Sequence, residues 1–305
     1  MTGFRLAAIL LGATGLSAVV AAGAVPAPAP SIPTLYERLG GVYGIAPLVD
    51  NLVDRLLVNE TLNANPRFVE FRQQVQKAGL KFIFTASVCH AAGGPEPNLD
   101  DILIAARDRV RFTDDEWQAM STDLEATLDK FSVAADTRQS VRDAVARLRL
   151  PAESGSRAIA TGHRRGPVLV GDDSADGIEY QPTLYGNLGG WEAIAGIVDV
   201  LVERLLVDRT VMTNPAIAAV TTRVPKPGLK YQLTALLCQA TGGPEQYIRH
   251  PVLAPHARVH VSEAEWDAML ADLRSALAQR RVGQAEQDGL RALVAKVKGE
   301  IVTGR

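Results

Sequence analysis

Residues 184–208 read LYGNLGGWEAIAGIVDVLVERLLVD, and residues 35–59 read LYERLGGVYGIAPLVDNLVDRLLVN. In the later stretch Ile194, Ile197, Val198, Leu201, Val202 and Leu205 recur at steps of three, one, three, one and three. Such spacing lines one face of a helix, which a Gly-Gly pair precedes and the Thr213-Asn214-Pro215 run is expected to end. The two stretches lie 149 residues apart, and the same offset carries Cys89 to Cys238, Gly93-Gly94-Pro95 to Gly242-Gly243-Pro244, and Trp117 to Trp266. No gap is needed between these pairs. The pattern predicts a duplicated domain of about 115 residues, longer than the roughly 20–50 residues of a solenoid unit.

The remaining elements are helical too. Leu229, Leu233, Leu236, Leu237 and Ala240 mark a second apolar face, stopped by TGGP. Ser262 with Glu265 three residues on forms a capping box ahead of Trp266, Met269, Leu270, Leu273 and Leu277. A last amphipathic helix runs through Leu290, Leu293, Val294 and Val297. The first copy repeats the order, with Thr113 and Glu116 as its capping box. No alternating strand pattern competes, so the fold is expected to be all-α. The expected organisation is an N-terminal segment over 1–32, a domain over 33–150, a Gly/Ser/Asp/Pro-rich linker over 151–181 and a second domain over 182–305.

With 47% hydrophobic and 22% charged residues, the chain has the balance of a soluble globular protein of about two domains. A net charge of −2 and the lack of a dense Lys/Arg run argue against a nucleic-acid partner. The first residues place Arg5 ahead of an apolar stretch, then small residues and a Pro/Ala spacer. This reads as a signal peptide cleaved after Ala24, or as an uncleaved membrane anchor. Either reading puts the folded part outside the cytoplasm, periplasmic or membrane-anchored. Cys89 and Cys238 fall in apolar helical patterns and are expected as buried free thiols. Trp117 and Trp266 are expected in the core. There is no P-loop, dinucleotide fingerprint, nucleophile elbow or zinc-type Cys/His cluster.

One position separates the copies. His256 stands where the first copy has Arg107. Three prolines, Pro244, Pro251 and Pro255, leave room for only a short helical turn or two before His256. A histidine presented toward an apolar space between helices suits a ligand to a flat cofactor.

Several motifs fall together at one set of spacings: the two stretches quoted first, LKYQLTALLCQATGGPEQY over 229–247, a histidine thirteen residues after the second glycine of that run, and a closing KVKGEIV. In these the chain resembles two tandem truncated haemoglobins of group I, small bacterial-type globins with a two-over-two helical sandwich. The resemblance implies one haem b per chain, in the second copy, with His256 as the proximal iron ligand. It places Tyr247 near the haem edge, Val252 against the ring, and Val202, Leu229 and Leu233 facing the bound gas. Lys230 and Arg249 become candidates for the haem propionates, against the plainer reading of solvated charges.

Family members commonly carry Tyr at the place of Val202 and Gln at that of Leu233. Here all three gas-facing residues are aliphatic, which removes donors worth on the order of 1.5–3 kcal/mol to a charged acceptor. Weaker oxygen holding is expected, unless Tyr231 or Gln232 supplies the donor. The first copy has Arg107, whose guanidinium offers no lone pair, Asn98 in place of Tyr247, and Phe84 in place of Leu233. It is expected to be haem-free. The implied function is binding of a diatomic gas, O2, NO or CO, by a non-enzymatic or weakly catalytic haem protein, with a reductase as the expected protein partner. Two alternatives stay open: a haem-free interaction module, and a nitric-oxide dioxygenase or peroxidase.

Overall fold

The computed structural model describes residues 33–96, 99–149, 183–243 and 259–302, and every regular element among them is an α-helix. The expected leader or anchor and the expected linker lie outside the described residues. Among the described residues no helix is long and apolar enough to cross a membrane. The first repeat contributes α1 (Leu35–Arg38), α2 (Gly41–Val58), α3 (Glu60–Asn63), α4 (Pro66–Gln74), α5 (Lys77–Ala91), α6 (Asp100–Val110), α7 (Asp114–Lys130) and α8 (Ala135–Arg149). The second contributes α9 (Leu184–Leu188), α10 (Gly190–Leu205), α11 (Arg209–Met212), α12 (Pro215–Arg223), α13 (Lys226–Ala240), α14 (Glu263–Gln279) and α15 (Gln284–Ile301). The all-α expectation holds.

Local chemistry sets the boundaries. The Gly-Gly pairs occupy left-handed backbone, with φ of 83° and 65° at Gly40 and Gly41 and of 95° and 71° at Gly189 and Gly190. Two such residues in succession turn the chain sharply, and glycine adopts them without a Cβ penalty. The long helix expected from residue 190 to the Thr-Asn-Pro run is two helices instead, α10 and α11. Asp208 accepts a hydrogen bond from Val211 N (2.9 Å) and so caps α11, which breaks the run after Leu205. Asn214 then caps α12 ahead of Pro215, and its side-chain amide donates to Glu265 Oε2 (3.1 Å), the carboxylate of the capping box of α14. Asn65 and Glu116 repeat that arrangement in the first half at 3.2 Å.

The closing GGP motif has a matching cause. A Cβ on Gly243 would lie 2.8 Å from the Tyr185 ring and 2.6 Å from Cys238 O, and one on Gly94 would lie 2.5 Å from the Tyr36 ring. Tyr185 N donates to Thr241 O (2.9 Å), and Tyr36 N to Ala92 O (2.8 Å). The end of the long apolar helix is thereby tied to the start of its own repeat.

The helices pack in a reciprocal scheme. Helix α2 packs on α5 and on α7, and α10 on α13 and on α14. Across the repeats, α13 packs on α2 and α10 on α5. A single hydrophobic cluster therefore runs through both halves, from Val42, Ile45, Val49, Phe82 and Ile83 to Ile194, Ile197, Val198, Tyr231 and Leu277. Phe82 stacks on Tyr231, centroids 5.1 Å apart, and on Trp191 at 6.5 Å. Trp266 is buried, and Trp117 packs edge-on against Phe112 at 5.7 Å.

Candidate functional site

Helix α13 presents two different faces. Tyr231, Ala235 and Cys238 are fully buried. Leu229, Leu233 and Leu237, at steps of four, are only partly buried while packed against the core. Val202, on the neighbouring α10, is 1% exposed. Of the residues expected to face a gas, Val202, Leu229 and Leu233 thus lie on two helices that pack together, and all three join one apolar cluster. An incompletely covered row of leucines on a buried helix is a wall suited to a flat apolar ring. His256, Tyr247, Val252 and Arg249 lie outside the described residues, as does Asn98.

Tyr231 is not available to this wall as a donor. Its ring stacks against the first repeat, and two residues along a helix is a turn of about 200°, which separates it from Leu229 and Leu233. Lys230 is likewise engaged, within its own repeat. Its ammonium lies 2.6 Å from Asp199 Oδ1 and 2.7 Å from Glu203 Oε1, both carboxylates being on α10. Lys226 adds a contact to Glu203 at 3.0 Å. The first repeat carries the same device, with Lys81 at 2.5 Å from Asp50 and 2.7 Å from Asp54, and Lys77 at 2.8 Å from Asp54.

These contacts move the charges in the direction that holds them. The hydrogen bond from Lys230 keeps the Glu203 carboxyl below the usual carboxylate range, against the effect of burial, with Lys226 assisting. Burial alone would lower Lys230, but the hydrogen bonds to Asp199 and Glu203 outweigh it and raise the ammonium. Asp54 behaves as Glu203 does: burial opposes the charge, and Lys77 and Lys81 pull its carboxyl down. Between the two lysines a cavity of about 30 Å³ opens where the repeats meet, lined by Ala46, Asp50, Lys81, Phe82 and Thr85 and by their counterparts Ala195, Asp199, Lys230, Tyr231 and Thr234. Asp199 and Glu203 were missed as partners of Lys230, although the recurrence of Lys and acid at the 149-residue offset was a readable signal.

In the first repeat the corresponding positions are Val53, Leu80 and Phe84. Val53 and Leu80 are fully buried, and Phe84 packs on the core with Leu99, Ile102 and Leu103, the last two from α6. Arg107, on α6, directs Nε (2.9 Å) and Nη2 (2.7 Å) to Asp108 Oδ1. No imidazole stands at that place. The two cysteines are free and buried, and burial pushes both thiols well above the usual range.

Residues 183–303 match the family described as bacterial-like globin. The group 1 truncated hemoglobin GlbN of Nostoc sp. (strain MUN 8820) is 30% identical over 120 residues, which are 39% of this chain and 97% of that protein. The group 1 truncated hemoglobin GlbN of Nostoc commune is 32% identical over 120 residues, with the same 39% and 97% coverage. The segment matched by the family contains Val202, Leu229, Leu233 and His256.

Proposed function

We propose, on the premise that this chain belongs to the bacterial-like globin family, that its second repeat holds one haem b through His256 and binds a diatomic gas against Val202, Leu229 and Leu233. Family membership brings haem-based gas binding in general; the residues, the stoichiometry and the setting are the specific reading. The observation that carries it is the incompletely covered leucine row of α13 beside the buried Val202 of α10, inside the segment that matches the family. A bound haem supplies an iron with one open position for O2, NO or CO.

The chain's own residues do the rest. His256 offers a neutral imidazole nitrogen, a suitable donor to iron. Tyr247 and Val252, by the family resemblance, would meet the ring edge and face. The aliphatic wall excludes water and presents no hydrogen-bond donor, so it would hold a polarised oxygen ligand loosely and affect CO and NO little. That wall also offers no proton donor or acceptor, which favours a gas-binding protein over a dioxygenase or peroxidase. Lys230 is left out of the haem contacts because Asp199 and Glu203 engage its ammonium.

The first repeat, with Arg107 at the ligand position and Phe84, Ile102 and Leu103 packed on its core, is the haem-free partner in this reading. The N-terminal segment supports export, periplasmic or membrane-anchored, and a reductase that keeps the iron ferrous is the proposed protein partner. The test is direct. The purified full chain should show an intense near-ultraviolet haem band and one haem per chain, lost in His256→Ala and retained in Arg107→Ala. A colourless protein that refuses added haemin would refute the reading.

A further inference from the structure

The wall just assigned is not supported from its own repeat alone. Helix α5 of the first repeat runs so close to α10 that a Cβ on Gly79 would lie 2.8 Å from Trp191 Cζ3 and 3.1 Å from Glu192 Cγ. One turn on, Phe82 is 3% exposed and stacks on Trp191 of α10 and Tyr231 of α13 at once. The N-terminus of α5 is held by the same neighbour, since Gln76 N donates to Glu192 Oε1 (2.9 Å), and Arg280, just after α14, donates to the Gln76 side chain. In the opposite direction the hold is looser: Tyr43, the counterpart of Glu192, covers Gly228 of α13 and is 44% exposed.

We propose that Phe82 is a positioning residue for the gas-binding wall of the second repeat, so that the haem-free half acts as the fixed floor on which α10 and α13 are set. The inference rests on the proposed haem site. Its physical basis is the stiffness of a helix: Tyr231 lies between Leu229 and Leu233 in sequence and about half a turn from both, so displacing its ring carries both leucines with it. Deleting the Phe82 ring leaves a void into which Tyr231 and Trp191 relax only in part, and packed neighbours couple through such relaxation.

The experiment compares full-length Phe82→Ala with Phe68→Ala and Phe82→Leu. Phe68 belongs to a separate cluster of the first repeat with Leu62 and Val110, so its loss weakens that repeat without touching α10 or α13. Phe82→Leu keeps apolar volume under Tyr231. Haem release is followed by transfer to apomyoglobin, and wall geometry by the stretching frequency of carbon monoxide bound to the reduced protein. Phe82→Ala should release haem about tenfold faster and shift the CO band, with Phe68→Ala and Phe82→Leu within about twofold of the parent chain. Equal behaviour of Phe82→Ala and Phe68→Ala would overturn the positioning role. Amide hydrogen exchange over α13 in the haem-free protein gives an independent reading: faster exchange in Phe82→Ala alone upholds the role and unchanged exchange overturns it. A parent chain that takes up no haem refutes the haem site instead, and the exchange result still decides the role of Phe82.

Discussion

Gly79 and Gly228 occupy equivalent places, each the third residue of its helix, and replacing each by alanine separates two kinds of close approach. The gain in helix propensity, up to about 1 kcal/mol, is the same at both sites and cancels in the comparison. What differs is the neighbour. A Cβ on Gly79 would press Trp191 Cζ3 at 2.8 Å, and Trp191 is buried with Phe82 stacked on it. Overpacking of that kind costs about 1–3 kcal/mol. A Cβ on Gly228 would press Tyr43 Cδ1 at 2.7 Å, but Tyr43 is 44% exposed and can swing toward solvent at about 0.5–1.5 kcal/mol. Gly79→Ala should therefore be less stable than Gly228→Ala by about 1 kcal/mol. Urea titrations at unchanged m-value would show it as a lower midpoint, and thermal melts as a gap of roughly 2–4 °C per kcal/mol. Equal midpoints, or a lower one for Gly228→Ala, would refute the argument that Trp191 is wedged and Tyr43 is free to move.

Leu233→Gln places an amide donor on the partly buried wall and should slow oxygen dissociation by about tenfold or more, with CO dissociation nearly unchanged, as read by stopped-flow displacement. Glu203→Gln tests the ion pair: because the folded carboxyl lies below its unfolded value, its stabilisation is full above the ordinary carboxylate pKa of about 4.3 and fades as pH falls through the depressed one. The midpoint difference between parent and Glu203→Gln should accordingly be present at neutral pH and vanish in acid. Both thiols should resist a neutral-pH disulfide reagent in the native protein and react fully after denaturation, with no intramolecular disulfide in the mass of the non-reduced chain.

Helical period was enough to read α10, α13, α14 and α15, because each carries an apolar stripe, and the first three also carry a local start or stop signal. The break at Asp208 was not read, since a capping carboxylate inside a continuing apolar stretch looks like any polar residue of the exposed face. The shared core was not legible either. Phe82, Trp191 and Tyr231 have the spacing of ordinary core residues, and nothing in a one-dimensional period says whether the facing helix comes from the same repeat. Lys230 shows the same gap on the polar side. Its place in the chain fits a reach for a carboxylate, but only the packing of α13 on α10 says that Asp199 and Glu203 provide it.

Contacts that are reciprocal in an ordinary symmetric dimer come from one gene, so a residue changed in one subunit changes in both. Fusing the partners removes that restriction. The two halves can then differ at matching positions, as Glu192 against Tyr43 and His256 against Arg107 illustrate. On the proposed assignment, the half without the prosthetic group is free to specialise as a scaffold, and because it is tethered, dilution does not strip it away.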